Sequence, residues 1–494
     1  MLSAARLAAK FTSFTSHMSM RFSALLVFLA CLTSVELAGQ DVNVKIVKQF
    51  DTRGRLSGVW GLGMPDGREF AVVGEYGGTW IVETTNPSRP VEIAHFSGPN
   101  SRWREITAYQ NIVYSVSEHH RGIRIIDMSN PNRPVDRGYV FTSRIPSAHT
   151  ISVDPDAGRL FVNGTASGQL ILDVSKTPLS PVILGYFTGE YVHDCYVRRG
   201  FGYYCEIYTG NLRVVDVTNP ASVKTVAVIG TPGGFTHSCG VTADDALLVT
   251  VDENTSPNGY GLLQLWDIRN KARPVKKGFY TIGTPEICHN PYVLGRVGYM
   301  AYNSAGFHMC DLTDVTKPSK LASFDSNKNI SGYTGMWGCY PFQDSGIVYG
   351  SDRDNGLQIM QILCAHMNRY GSGTAPATHA IPRIEFDGAA PRVGASGLEL
   401  HVSGLQPNAS FVLAISAASV APKRILGVDV HIDLAGALLV NGRVGATGRA
   451  ILPAAVPNDP RLGGARVYMQ MFASDSAAPF GLSASRGMWA GICR

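Results

Sequence analysis

The chain has 494 residues, a formal net charge of +5, 16% charged residues and 53 glycines. That length is enough for two or three domains and a large core; low charge with ample apolar content excludes a disordered chain. A charge this mild, with no Lys/Arg cluster interleaved with aromatics, excludes a nucleic-acid surface.

Residues 1–39 read as a signal-peptide region. Arg21 precedes the apolar run Ala24–Leu32, and small residues follow at Ala38-Gly39, the order of a secretory signal. The run is too short to span a bilayer comfortably, and no later segment is long and apolar enough to be transmembrane. Leu29-Ala30-Cys31 has some likeness to a lipoprotein cleavage site, which Phe28 and Leu29 fit poorly. Removing this region takes away three basic residues and one acid and leaves a net charge of +3. The expected location is secreted or cell surface.

A lone strand follows, Val44–Phe50. Then a unit recurs: an apolar run reaching an acid, a polar turn, and prolines. Its copies are Thr79–Glu83 with Pro87 and Pro90, Ile123–Asp127 with Pro131 and Pro134, Gln169–Asp173 with Pro178 and Pro181, and Leu212–Asp216 with Pro220. Leu263–Asp267 with Pro274 and Phe307–Asp311 with Pro318 continue the series, and Leu357–Gln361 keeps the strand but loses the acid. The anchors at 83, 127, 173, 216, 267, 311 and 361 are 43 to 51 residues apart. A period in the forties built from short β runs predicts a propeller with four strands per blade. Seven copies predict a seven-bladed β-propeller over 42–363. The last copy supplies three strands, so Val44–Phe50 is expected to complete it and close the ring without a long unpaired edge.

Aligning the copies exposes two further columns. At the start of each first strand stand Trp60, Trp103, His149, His193, His237, His289 and Trp337. At the end of each second strand stand Glu75, Glu118, Asn163, Glu206, Asp252 with Glu253, Asn303 and Asp352, with His119 and His120 following Glu118. First strands line a propeller's channel, and both columns should open on the same face. The candidate ligand or metal residues are therefore His149, His193, Asp194, His237, His289, Glu118, His119, Glu206, Asp252 and Glu253. Such a set suits a divalent metal ion or a polarised substrate; neutral His favours a transition metal, while the oxygen-rich neighbours also admit calcium. A second reading stays open, in which each His and acid form a structural hydrogen-bonding pair within a blade, since buried polar groups need partners. Trp103-Arg104-Glu105 admits an ion pair at the rim or a merely solvated pair. No phosphate loop or nucleophile setting is present, so no catalytic residue is assigned.

Beyond the signal region eight cysteines remain, an even number in an oxidising compartment. Cys195 and Cys205 sit symmetrically about the turn near Gly200 and are candidates for a bridge; so are Cys364 and Cys493, which bracket the C-terminal region. Buried free thiols are the alternative in each case. Residues 364–380, containing Tyr370–Thr378, read as a linker. Residues 381–494 carry short alternating runs such as Leu398–Val402 and Arg466–Met471 and predict a small C-terminal β-sandwich-like domain.

The propeller motifs carry a resemblance. Trp103-Arg104-Glu105-Ile106, Ser147-Ala148-His149, Val192-His193-Asp194, Phe235-Thr236-His237, Val251-Asp252-Glu253, Cys288-His289-Asn290 and Gly335-Met336-Trp337-Gly338 with Tyr340-Pro341-Phe342 resemble the choice-of-anchor B family of secreted proteins with LVIVD-type repeats. The resemblance implies an extracellular propeller with a variable C-terminal attachment and no common activity to carry over. Ile451-Leu452-Pro453 to Pro460, with Ala478–Gly481, resembles a β domain of secreted planctomycete proteins, which implies a bacterial extracytoplasmic protein. Two functions follow as expectations: a binding module for an extracellular protein, glycan or small ligand at the His/acid-rich rim, with a cation as a further option, or a metal-dependent hydrolase or oxidoreductase using the same rim.

Overall fold

The computed structural model describes residues 42–51, 54–255, 259–326, 332–375 and 381–493; the expected signal region 1–39 lies outside them. Regular structure among the described residues is β throughout, apart from two single 3-10 turns, Pro460–Leu462 and Pro479–Gly481. Among the described residues no helix is long and apolar enough to cross a membrane. The chain forms two compact units, one spanning Gln40–Gln361 and one containing Ile362–Arg494.

The first unit is a β-propeller. Among its described residues lie seven four-stranded antiparallel sheets, six of them built from four consecutive strands. In the other, Val44–Phe50 is the outer strand beside Gly356–Ile362, Ile347–Asp352 and Met336–Tyr340. The first strands of successive sheets lie against one another, and Leu56–Gly63 also packs on Met336–Tyr340, so the ring of strands closes. Both faces of most strands are covered. Tyr114, Ile123 and Ile125 of one sheet, for example, pack against Ile151, Leu160 and Leu170 of the next, which is why the runs read as continuously apolar.

The recurring acid has a local task. Asp127, Asp173, Asp216, Asp267 and Asp311 each accept a hydrogen bond from the backbone N–H two residues on, at 2.8–3.1 Å. This is an Asx turn, and it starts the loop into the fourth strand. Six sheets then carry a register irregularity at one place, where the third strand pairs with the fourth: the fourth strand holds one extra residue, Ile93, Arg137, Leu184, Val226, Lys277 or Leu321. A bulge there adds right-handed twist to each outer edge.

The proposed Cys195–Cys205 bridge is corrected. The register sets Cys195 opposite Tyr204 and Cys205 opposite Asp194. The two thiols therefore point to opposite faces of their sheet, and both are buried and free. Cys195 packs with Phe161 and Ile171, Cys205 with Leu248 and Trp266. Burial raises both thiols far above the ordinary cysteine range.

In the second unit Cys364 and Cys493 are joined by a disulfide, with Cα atoms 5.1 Å apart. Its larger sheet runs in the order Met367–Tyr370, Gly487–Gly491, Arg466–Ser474, Ser410–Ser416 and Leu438–Arg443. The first of these strands falls within 364–380, the stretch read as linker. A three-stranded sheet of Arg383–Gly388, Ser396–Ser403 and Ala450–Ala455 shares an apolar core with the larger sheet, including Ile384, Leu400, Leu413 and Met471.

Candidate functional site

The column at the start of the first strands becomes a ladder of rings. His149 and His193 have centroids 4.1 Å apart, His193 and His237 4.3 Å, His237 and His289 4.2 Å, and His289 and Trp337 4.3 Å. The rings are joined from sheet to sheet. His193 Nδ1 bonds the carbonyl of His237 at 3.0 Å, His237 Nδ1 that of His289 at 2.9 Å, and His289 Nδ1 that of Trp337 at 2.7 Å. A carbonyl only accepts, so Nδ1 carries the proton and Nε2 of each neutral ring keeps its lone pair. Burial, aided by neighbouring imidazoles, holds His193 and His237 well below the usual histidine range. His193 and His237 are uncharged at neutral pH.

The ladder ends differently at His149. There Thr150 donates to the carbonyl of His193 at 2.7 Å. His149 Nδ1 pairs instead with Glu118 Oε1 at 2.6 Å, a bond that holds the Glu118 carboxyl below its ordinary range. Gly164 makes room for this: its φ is +67°, and a Cβ there would sit 2.3 Å from the Cβ of His149.

Two carboxylates face the imidazoles from the channel wall. Asp194 accepts from Ser238 Oγ at 2.7 Å and from the Cys195 N–H at 2.8 Å, and burial raises its pKa. Glu105 accepts from Trp337 Nε1 at 2.9 Å. Burial pushes its carboxyl up to about 7 despite that bond. Both line a cavity of about 120 Å³ bounded by His149, His193, His237 and His289, so what surface they keep faces this cavity. Gly58 leaves the space Glu105 needs, because a Cβ there would lie 2.4 Å from Glu105 Oε2.

The acid column divides. Glu253 Oε1 lies 3.4 Å from His289 Nε2 and its Oε2 lies 3.8 Å from His237 Nε2. One ring nitrogen of each of His193 and His237 and one Glu253 oxygen fall within 4.8 Å of one another. Its neighbour Asp252 turns the other way and accepts from the backbone N–H groups of Gly233 and Phe235 and from Gln264 Nε2. Glu206 is fully buried and takes Arg213 Nε at 2.5 Å and Nη2 at 3.2 Å. Both brace their own blades and stand apart from the imidazole set. His119 is exposed, with Nδ1 3.3 Å from Ser101 Oγ. Arg104 and Glu105 do not pair: Arg104 is buried against the carbonyls of Glu75 and Pro99, while Glu105 enters the channel.

Sequence reasoning had named Glu105 only as an ion-pair partner and had not singled out Thr150 or Ser238. A signal existed. The position after the column residue is polar in four consecutive copies, Thr150, Asp194, Ser238 and Asn290, as suits residues lining a channel. Around the same mouth, four tyrosines in loops that enter first strands or leave second strands are exposed: Tyr76, Tyr208, Tyr260 and Tyr333. Tyr208 stacks on Tyr191 at 4.9 Å, and Tyr333 Oη donates to the Glu253 carbonyl at 3.1 Å.

No protein-family model matches the chain, and no curated protein matches it. Among solved structures it is similar to the β-propeller domain of Cps50 (Swd1) from Myceliophteria thermophila, at 9% identity and a TM-score of 0.49, over 64% of this chain and 99% of that one. It is also similar to Raptor from Chaetomium thermophilum, at 13% identity and a TM-score of 0.49, over 65% of this chain. The match spans only 30% of Raptor.

Proposed function

We propose that this chain is a secreted or cell-surface binding module, a seven-bladed propeller of the choice-of-anchor B type followed by a C-terminal β-sandwich. Its recognition face is the rim where the imidazole ladder opens, and its ligand is an extracellular protein, glycan or small molecule. One observation carries the reading: Tyr76, Tyr208, Tyr260 and Tyr333 are exposed around the same mouth as Glu118, His149 and Glu253. Tyrosine offers a large rigid surface with a polar tip, which is why it is enriched where proteins bind partners. The experiment is to screen the full chain against glycan and extracellular-protein arrays and repeat any hit with Tyr208→Ala and Tyr333→Ala. Binding should fall about tenfold or more in each, the loss of about 1.4 kcal/mol or more. Hits indifferent to both changes would place recognition elsewhere.

The alternative is a metal-dependent hydrolase or oxidoreductase at the same rim. It draws support from Glu105, a channel carboxyl whose pKa of about 7 suits proton transfer at neutral pH. Turnover of ester or phosphoester probes, abolished by Glu105→Gln, would favour it.

A further inference from the structure

We infer that His193, His237, His289 and Glu253 form a binding site for one transition-metal ion of the zinc class. The inference rests on reading this rim as a binding face, and it names what the rim holds.

The argument starts from which nitrogens are engaged. In three successive sheets the Nδ1–H group is spent on the next sheet's carbonyl. A single spare nitrogen does not mark a site, since His308 also bonds a carbonyl with one nitrogen and leaves the other without a partner; several that gather near one carboxylate do. Here the second nitrogen is left over. His289 is fully buried, and its Nε2 makes no hydrogen bond, although Glu253 Oε1 lies 3.4 Å away. His237 Nε2 is directed at the other oxygen of the same carboxylate, at 3.8 Å; a His193 nitrogen lies within 4.8 Å of a His237 nitrogen and a Glu253 oxygen, and His289 joins through Glu253 alone.

Metal-bound histidines have this outer arrangement: one nitrogen ligates while the other donates to a backbone carbonyl or a carboxylate, which fixes the tautomer and aims the ring. The ladder supplies that support before any ion arrives. Four donors about 2.0–2.2 Å from a tetrahedral ion stand about 3.3 Å apart. Separations of 3.4 and 3.8 Å to Glu253 are near that value, and the spacing of up to 4.8 Å to His193 is what side-chain rotation has to close.

The donor set selects the ion. Three neutral imidazoles and one carboxylate suit zinc, cobalt, nickel, copper or ferrous iron. Calcium takes six to eight oxygens, and this cluster offers two. Glu253 is partly exposed, so an ion has a route in from the mouth. His149 stands outside the set, because the carboxylate it meets is Glu118 and not Glu253.

The experiment is a cobalt(II) titration of the full chain after chelation and dialysis, followed by visible spectroscopy and elemental analysis. One equivalent of cobalt should bind with intense d–d bands, zinc should displace it, and calcium should not. His237→Ala should abolish the spectrum. Glu253→Gln, at a partly exposed position that leaves the fold intact, should weaken binding about tenfold or more, and His119→Ala should change nothing. A folded chain without cobalt bands, or bands that persist in both His237→Ala and Glu253→Gln, would overturn the site. The two readings fail separately. A metal-free chain that still shows Tyr208-dependent binding sinks the metal site alone. A cobalt-loaded chain that binds nothing on the arrays leaves the metal site standing and sinks the binding face.

Discussion

The propeller uses one structural position in two ways. At the start of the first strands, four consecutive sheets carry His and the remaining three carry Trp. On the Trp side the residues fill space: Trp60 packs against Tyr340 at 5.0 Å, and Trp337 stacks on His289 while its indole N–H is consumed by Glu105. On the His side each ring uses one nitrogen to tie neighbouring sheets and holds the other toward the channel. The repeat fixes where the column lies; residue choice decides whether it ends in packing or in an open lone pair.

The sharpest way to break this contrast is on the Trp side. Trp337→Ala removes a buried indole, the cap of the ladder and the donor to Glu105 together. It should cost about 3–5 kcal/mol in chemical denaturation; a loss below about 1 kcal/mol would mean the Trp side is not structural packing. Glu105→Gln should act in the opposite direction and only at higher pH. The native carboxyl titrates near 7 and the unfolded one near its ordinary 4.5. The folded state therefore holds the proton more tightly, and stability falls as pH rises from about 4.5 to 7. Gln cannot ionise and still accepts from Trp337. The variant should match the parent below pH 4.5 and exceed it above pH 7 by about 3 kcal/mol. Equal melts at pH 8 would refute the raised pKa.

Smaller changes probe the His end. Gly164→Ala forces a Cβ to within 2.3 Å of His149 at a positive φ and should cost about 1–3 kcal/mol. Thr150→Val removes the hydroxyl that donates to the His193 carbonyl and accepts from the buried Asn163 amide. It should cost about 1–3 kcal/mol in chemical denaturation, since it also leaves a buried amide donor short of a partner. A loss below about 0.3 kcal/mol would show that the hydroxyl does not tie the two sheets.

Much of this was legible before any coordinates. The spacing of Asp127, Asp173, Asp216, Asp267 and Asp311 set the register, and the register exposed the His/Trp column. What could not be read was direction. A strand's period of two tells that Asp252 and Glu253 face opposite ways, but only the sheet-to-sheet seams show that Glu253 is the one that meets His237 and His289. The same one-residue parity separates Arg104 from Glu105 and Cys195 from the partner imagined for it. The bulge in the fourth strands has a faint signature, a Gly or Ala after the extra residue at Ala94, Gly138, Gly185, Ala227, Gly278 and Ala322, which shows only once the strands are set in register. Glu105 was hidden for another reason. Its importance comes from burial across the channel beside Trp337, which lies 232 positions away in the chain.

The Cys364–Cys493 bond carries a consequence of its own. It closes a segment 129 positions long that holds nearly all of the second unit. A protease cutting that segment once, at any exposed loop, would leave both pieces on a single covalent molecule. Clipped and intact protein would then co-migrate in a non-reducing gel and separate only after thiol treatment. In an oxidising environment such a nick would release nothing. Shedding would require two cuts or a reductant.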